Sequence, residues 1–215
     1  MATQKRVEVL PEELLIRTSN LDQGSWNYRG LLGWISRSRV RLAAELLTED
    51  AVGRLLEVGY GSGVFMPAWV TKAGERYGVD VHERAEEIER VLNIHGTPAS
   101  LSVGSVTQLP YPDGMFDRVV VISVLEFVDD LDRATQELRR VLQPGGQLVV
   151  VSPGNGKILD AGLKLLTGER GEDTFQGRRQ KVMPALRGLF SVKRTLTFPR
   201  FAPRGLRLYT ATLLQ

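Results

Sequence analysis

The sequence predicts an α/β fold built on a buried, mostly parallel sheet, and three observations carry that prediction. A short apolar run, Arg54–Val58, leads straight into Gly59-Tyr60-Gly61-Ser62-Gly63. Strand-like and helix-like segments then alternate as far as residue 151, which is the order that βαβ units produce. An acidic residue, Asp80, closes the next strand roughly twenty positions beyond the glycines, the spacing of a carboxylate that accepts ribose hydroxyls.

The elements follow in order. Arg54–Val58 has the continuous apolar character of a strand covered on both faces. Val64–Ala73 fits a crossover helix, with Gly74 as its C-terminal stop. Arg76–Asp80 is the second strand and Glu83–Leu92 the next helix, so Asp80 is either that helix's N-cap or a ribose ligand. Arg118–Ile122 is rich in β-branched residues and reads as a strand. Asp129–Leu142 is a helix with an acidic start and Arg139-Arg140 near its end, as the helix dipole prefers. Leu142-Gln143-Pro144-Gly145-Gly146 stops it and launches the strand Gln147–Val151. Beyond lie a loop at Ser152–Lys157, a helix at Ile158–Leu166, a polar connection at Thr167–Gly177 and a short helix at Lys181–Leu189 that contains Pro184. Ser191–Phe198 and Leu206–Leu213 form a terminal hairpin joined through Pro199–Gly205.

The glycine run is either a nucleotide cradle or an ordinary turn, since glycine lets a backbone approach a ligand where a Cβ would collide. A dinucleotide fingerprint has glycine at its first, third and sixth places. Here the sixth place is Val64, and Gly63 comes one residue early, which counts against NAD. Glu57 completes an acidic-x-Gly-x-Gly-x-Gly pattern. Asp80 follows, then Gly104-Ser105-Val106-Thr107-Gln108-Leu109-Pro110-Tyr111-Pro112-Asp113-Gly114-Met115-Phe116-Asp117, and then Ser123-Val124-Leu125-Glu126-Phe127-Val128.

These motifs, over roughly residues 53–151, resemble the class I S-adenosylmethionine-dependent methyltransferases, in the small-molecule and lipid branch with the methyltransferase type 11 domain. The resemblance implies a Rossmann-like, doubly wound sheet of seven strands, with one antiparallel strand in the C-terminal hairpin. It implies S-adenosylmethionine as cofactor, with Glu57, Gly59, Tyr60, Gly61 and Gly63 at the methionine end and Asp80 on the ribose. Val81, Ser105, Val106 and Ser123 complete the expected cofactor-binding set. Many relatives carry an acid at the place of Ser105, where it holds the adenine amino group; a hydroxyl is a weaker acceptor.

A chain of 215 residues with 42% hydrophobic and 25% charged residues suits one globular domain. Its expected parts are an N-terminal helical cap (1–52), the cofactor-binding core (53–151), a substrate-side insertion (152–190) and the hairpin (191–215). With no cysteine, disulfides, thiolate metal sites and cysteine nucleophiles are excluded. No clustered acidic metal site is identifiable. No segment has the apolar length of a signal peptide core or a membrane span, so the expectation is a cytoplasmic protein, free or peripheral to the inner face of a membrane. Residues 1–50 carry 7 basic and 7 acidic side chains, residues 51–150 carry 9 and 14, and residues 151–215 carry 12 and 4. The net charges, 0, −5 and +8, set a basic C-terminal part against an acidic core, which reads either as a site for an anionic partner or as a solvated surface.

Trp26–Leu47 is amphipathic, with apolar residues from Tyr28 to Leu46 at mostly helical spacing among Arg29, Arg37, Arg39 and Arg41. It reads as plain packing, as a lid or as a contact with an anionic membrane surface. A sulfonium methyl is already activated, so such a protein chiefly aligns a nucleophile and excludes water. A general base would help with an amine or hydroxyl acceptor, and Tyr28 and Glu126 are the catalytic candidates; His82, just after Asp80, reads better as a contact to adenine or a cap of the following helix, and His95, at a helix end near Gly96, as a structural residue. The residues after the fourth strand lack an Asn/Asp-Pro-Pro-aromatic signature and no RNA-binding module is present, which argues against nucleic acid. The expected acceptor is a small molecule or lipid, anionic or amphiphilic, such as an aminophospholipid head group. The alternatives are a soluble natural-product or quinone-type acceptor, and a protein that binds S-adenosylmethionine as a sensor or partner subunit without transferring its methyl.

Overall fold

The computed structural model describes residues 7–18, 24–47, 52–154 and 177–215. Seven strands build the sheet: β1 (Val52–Val58), β2 (Ala73–Asp80), β3 (Ser100–Val103), β4 (Phe116–Ile122), β5 (Leu142–Pro153), β6 (Val192–Phe198) and β7 (Tyr209–Leu214). Their order is β3-β2-β1-β4-β5-β7-β6. The pairs from β3 through β5 are parallel, while β7 runs antiparallel to both β5 and β6. The expected α/β architecture, with its one antiparallel strand in the terminal hairpin, is the observed one.

Chain order places the site. From β1 the chain moves outward through β2 to β3, then returns across β1 to β4 and continues through β5. The reversal makes β1 and β4 the neighbours between which a crevice opens at the carboxyl ends of the strands.

Alternating side chains feed two apolar layers. Leu55 of β1, Val120 and Ile122 of β4, and Val149 and Val151 of β5 face a layer shared with Val40, Ala43 and Leu46. Those three lie on helix α1 (Gly30–Leu46). Leu56, Val58, Val119, Val121, Leu148 and Val150 face the opposite layer, with Leu138 of α3 (Leu131–Val141) and Leu186 of α4 (Arg179–Arg187). Helix α2 (Ala85–Ile94) buries Ile88 and Leu92 in the first layer. Helix α3 begins where its chemistry directs: the Asp130 carboxylate caps the N–H of Arg133 at 2.9 Å.

Several expectations need correction. The crossover helix over 64–73 is a chain of tight turns containing a single 3₁₀ segment, Met66–Trp69, and Gly74 lies inside β2. After the glycine loop only residues 64–72 remain to return along a strand of seven residues, about 20 Å; a 3₁₀ path rises about 2.0 Å per residue against about 1.5 Å for an α-helix. Asp80 does not cap α2, whose N-cap is Arg84. Strand β5 already pairs Leu142 with Phe116, and the Pro-Gly-Gly segment is absorbed as a register shift before Gln147 pairs with Arg118. Ser152 and Pro153 extend β5, and Leu206 belongs to a 3₁₀ turn before β7. The helix expected at 158–166 and most of the connection at 167–177 lie outside the described residues.

Candidate active site

Strand β1 ends in a cradle held by its neighbour. The Gly59 N–H donates to the Val79 carbonyl at 2.8 Å and the Gly61 N–H donates to Asp80 Oδ2 at 2.8 Å. Asp80 Oδ1 accepts the N–H of Val81 at 2.7 Å. One carboxylate thus fixes the glycine loop and the residue after β2, while each of its oxygens keeps a second lone pair. Gly59 sits at φ +77°, and a Cβ there would lie 2.2 Å from Val124 Cγ2 across the β1–β4 crevice. Gly61, at φ +52°, faces open space instead. Gly63 closes the turn by donating to the Tyr60 carbonyl at 2.9 Å.

Around the cradle lie an aromatic pair and an exposed apolar side chain. Tyr60 is buried and meets His82 edge-on at 5.0 Å between ring centroids. Burial, then the negative charge of Asp80, pushes the Tyr60 hydroxyl up. His82 Nε2 is 2.9 Å from the Gly61 carbonyl, and its Nδ1 receives the Arg84 N–H at 3.2 Å, a pair of contacts that assigns the neutral Nε2–H tautomer. Val81 is 74% exposed. Beyond β3, Ser105 Oγ lies 2.8 Å from Thr107 Oγ1 and accepts the Thr107 N–H at 3.2 Å, and Val106 is buried beside it. His95 contacts Thr97 at the C-terminal end of α2.

Two buried carboxylates stand at the ends of the adjacent strands. Glu57 occupies the row of β1 that faces α1 and accepts the Trp69 indole N–H at 2.7 Å. Burial raises its pKa to about 8, against the opposing effects of the Trp69 hydrogen bond and Arg39. Glu57 thus ties the end of β1 to the 3₁₀ segment that carries Trp69. Glu126 lies in the 3₁₀ turn Leu125–Phe127 after β4, is 1% exposed, and neither of its oxygens has a hydrogen-bond partner among the described residues. Burial raises its pKa to about 7, offset in part by its own N–H, Arg179 and Arg39. Three residues earlier, Ser123 holds φ +55° and donates its N–H to Val151 at 2.8 Å, and its buried Oγ, like that of Ser152 on the neighbouring strand, has no hydrogen-bond partner among the described residues.

Tyr28 is placed differently from a base. Its hydroxyl donates to the Leu10 carbonyl, and burial together with Glu12 pushes its pKa up to about 12. Leu10 in turn donates to the Val64 carbonyl at 3.0 Å, and Arg84 reaches the Arg17 carbonyl at 3.1 Å. Residues 7–18 thus strap the segment following the glycine loop, and Tyr28 fastens that strap.

Residues 56–150 match a family model described as a methyltransferase domain. That match covers less than half of the chain. The ubiquinone/menaquinone biosynthesis C-methyltransferase UbiE of Bordetella avium is 35% identical over 102 residues, covering 46% of this chain and 40% of the relative. The phosphatidylethanolamine N-methyltransferase of Cereibacter sphaeroides is 31% identical over 124 residues, covering 56% of this chain and 60% of the relative. The chain therefore spans less than two thirds of the length of either relative. Among solved structures, the [4+2]-cyclase SpnF superposes with TM-score 0.67 at 22% identity, covering 91% of this chain and 85% of its own. An S-adenosylmethionine-dependent methyltransferase from Aquifex aeolicus gives 0.64 at 17% identity, covering 85% and 97%. These two likenesses describe the fold.

The residues present fit S-adenosylmethionine, the cofactor that the motif resemblance implies. The open space beside Gly61 and the buried hydroxyls of Tyr60, Ser62 and Ser123, without partners among the described residues, lie at the carboxyl ends of β1 and β4, where a methyltransferase domain would receive the methionine end. Asp80 and the exposed Val81 lie at the end of β2. Sequence reasoning missed Trp69, Ser152, the 7–18 strap and the position of Arg39, whose guanidinium stacks at 5.4 Å from Phe65 and 5.8 Å from Tyr209. Only the basic stripe of the amphipathic segment hinted at Arg39.

Proposed function

We propose that the protein transfers the methyl group of S-adenosylmethionine to a small-molecule or lipid nucleophile, with Glu126 as the proton acceptor. The observation that carries this reading is the buried carboxylate of Glu126, without a hydrogen-bond partner among the described residues, on the turn after β4 beside Ser123. In the proposed site, Asp80 holds the ribose, the Gly59–Gly63 backbone holds the methionine portion above Glu57, and Val81, Val106 and Ser105 surround the adenine. Bound there, the cofactor supplies an electrophilic methyl carbon and leaves as a neutral thioether. The work left to the chain is to position the acceptor, exclude water and remove one proton. Glu126 suits the removal of that proton, because a group with a pKa raised to about 7 is half ionised near neutrality and can accept a proton from an ammonium or hydroxyl.

The concrete acceptor we favour is an aminophospholipid head group. The basic C-terminal part, the aromatic and arginine-rich α1, and the likeness to a phosphatidylethanolamine N-methyltransferase support it. A quinone-type acceptor is the second reading, favoured by the 35% identical stretch shared with UbiE. The test is methyl transfer from labelled S-adenosylmethionine to phosphatidylethanolamine and to a demethylated quinol in mixed micelles. Glu126→Gln should lower turnover on the true acceptor by about 10²- to 10⁴-fold with cofactor binding intact, and wild-type turnover should rise as pH increases through about 7. Methylation of the quinol alone overturns the aminophospholipid assignment. Full activity of Glu126→Gln removes its role as base, and tight cofactor binding without turnover on either acceptor would favour a non-catalytic sensor or partner subunit.

A further inference from the structure

The connection between β6 and β7 stands on the same edge as the crevice. Strand β6 ends at Phe198, β7 starts at Tyr209, and Tyr209 pairs with Pro153 at the carboxyl end of β5. The loop is closed at its neck by the Leu208 N–H on the Phe198 carbonyl at 2.7 Å and fastened to the sheet by the Gly154 N–H on the Leu208 carbonyl at 2.9 Å. It is also ordered within itself: Arg207 Nε donates to the Ala202 carbonyl at 3.0 Å, and Leu206 N–H to the Pro203 carbonyl at 2.9 Å.

This ordered loop holds apolar side chains out into solvent. Phe201 is 98% exposed and sits at φ +62°, a conformation that costs a bulky residue on the order of 1 kcal/mol or more. Leu206 is also exposed. Beside the loop, Trp34 of α1 meets Phe198 edge-on at 4.8 Å, and Leu31, one turn earlier, is exposed. Three cations, Arg200, Arg204 and Arg207, belong to the connection itself. Residues 177–215 contain nine Lys or Arg and no Asp or Glu. Glu45, the acid that α1 presents toward the hairpin, is engaged by Arg200 and lies 3.9 Å from Arg194.

We infer that this rim is a docking surface for an anionic lipid bilayer. Phe201 and Leu206 would enter the boundary between head groups and acyl chains, Trp34 would lie at head-group level, and the hairpin cations would face the anionic phosphates. Exposed aromatic and aliphatic side chains interspersed with arginines, with carboxylates scarce, are what an interfacial anchor requires. The position on the catalytic edge would bring a membrane-borne molecule to the crevice without leaving the surface. The inference is separable from the choice of acceptor, because docking is read without turnover.

Co-sedimentation of the full chain with vesicles tests it. The wild type should pellet with phosphatidylcholine vesicles containing phosphatidylglycerol, remain soluble with pure phosphatidylcholine, and be released by added salt. Phe201→Glu with Leu206→Glu should weaken binding by roughly tenfold or more while leaving the melting temperature and S-adenosylmethionine affinity unchanged. Failure of the wild type to pellet with anionic vesicles overturns the inference, as does a double variant that pellets like the wild type. Lipid-free self-association that the double variant abolishes would also overturn it, marking the rim as an interface between copies of the chain.

Discussion

Glu57→Gln keeps an acceptor for the Trp69 indole while removing a buried titration. Burial lifts the Glu57 pKa from 4.5 to about 8, so across that interval the folded chain holds a proton that the unfolded chain has released. The state that binds more protons loses ground as pH rises. The contribution is therefore fully present below about pH 4.5 and is lost as pH climbs through about 8. At ~1.36 kcal/mol per pH unit the interval sets an upper bound of roughly 5 kcal/mol. Water penetration into the charged state reduces this to about 2–4 kcal/mol. Urea unfolding near pH 5 and pH 9 measures it. Wild type and variant should agree within about 1 kcal/mol at the lower pH, and the variant should be more stable by roughly 2–4 kcal/mol at the higher. Glu126 titrates over part of the same range in both proteins, so only their difference reports on Glu57. Parallel pH profiles, or a variant that is less stable near pH 9, would refute the assignment of a neutral, buried Glu57.

Asp80→Asn retains the shape of the side chain but weakens its hold on the Gly61 and Val81 amides and on a ribose; calorimetry should show S-adenosylmethionine binding about 10- to 100-fold weaker with little change in melting temperature. Gly59→Ala places a methyl 2.2 Å from Val124 Cγ2 at φ +77° and should cost about 2–4 kcal/mol by urea titration; adding Val124→Ala should recover only part, because the backbone strain stays. Arg140→Ala strips Glu137 of its 2.7 Å ion pair and frees the carbonyls of Leu109 and Tyr111, for a loss of about 2–4 kcal/mol. The ion pair holds the Glu137 pKa below the usual range, so that loss should shrink as pH falls through the ordinary carboxylate range, and a loss independent of pH would contradict the pairing.

The strands were legible because a parallel sheet imposes its own pattern. Val119, Val120 and Val121 are buried on alternating faces, so β4 reads as an unbroken apolar run, and Asp130 marks the start of α3 by its capping chemistry. The crossover from β1 to β2 was not legible. Residues 64–73 have helical composition, but the span they must bridge is set by the length of β1, which is a property of the assembled sheet.

The site shows the same division between what motifs encode and what distant contacts decide. The glycine spacing and Asp80 announce a cradle because their demands are local: positive φ at Gly59 and Gly61, and a carboxylate at the end of the next strand. The state of the two buried acids is not local. Glu57 and Glu126 end adjacent strands, and the same cation, Arg39, opposes the rise of both pKa values from a helix that precedes the cradle in sequence. Serine supplies part of that arrangement, since Ser36 on the same helix holds the Arg39 guanidinium through its carbonyl and Oγ at 3.1 and 2.9 Å. Tyr28, which a reading of residue types offers as a base, is spent on fastening the strap to Leu10. The amphipathic N-terminal segment is thus more than a cover for apolar surface: through Arg39 it biases the ionisation of the carboxylate on which the proposed chemistry depends, and through Trp34 it joins the hairpin rim. Neither link follows from residue types or spacing, because each joins segments of the chain that meet only after the sheet has formed.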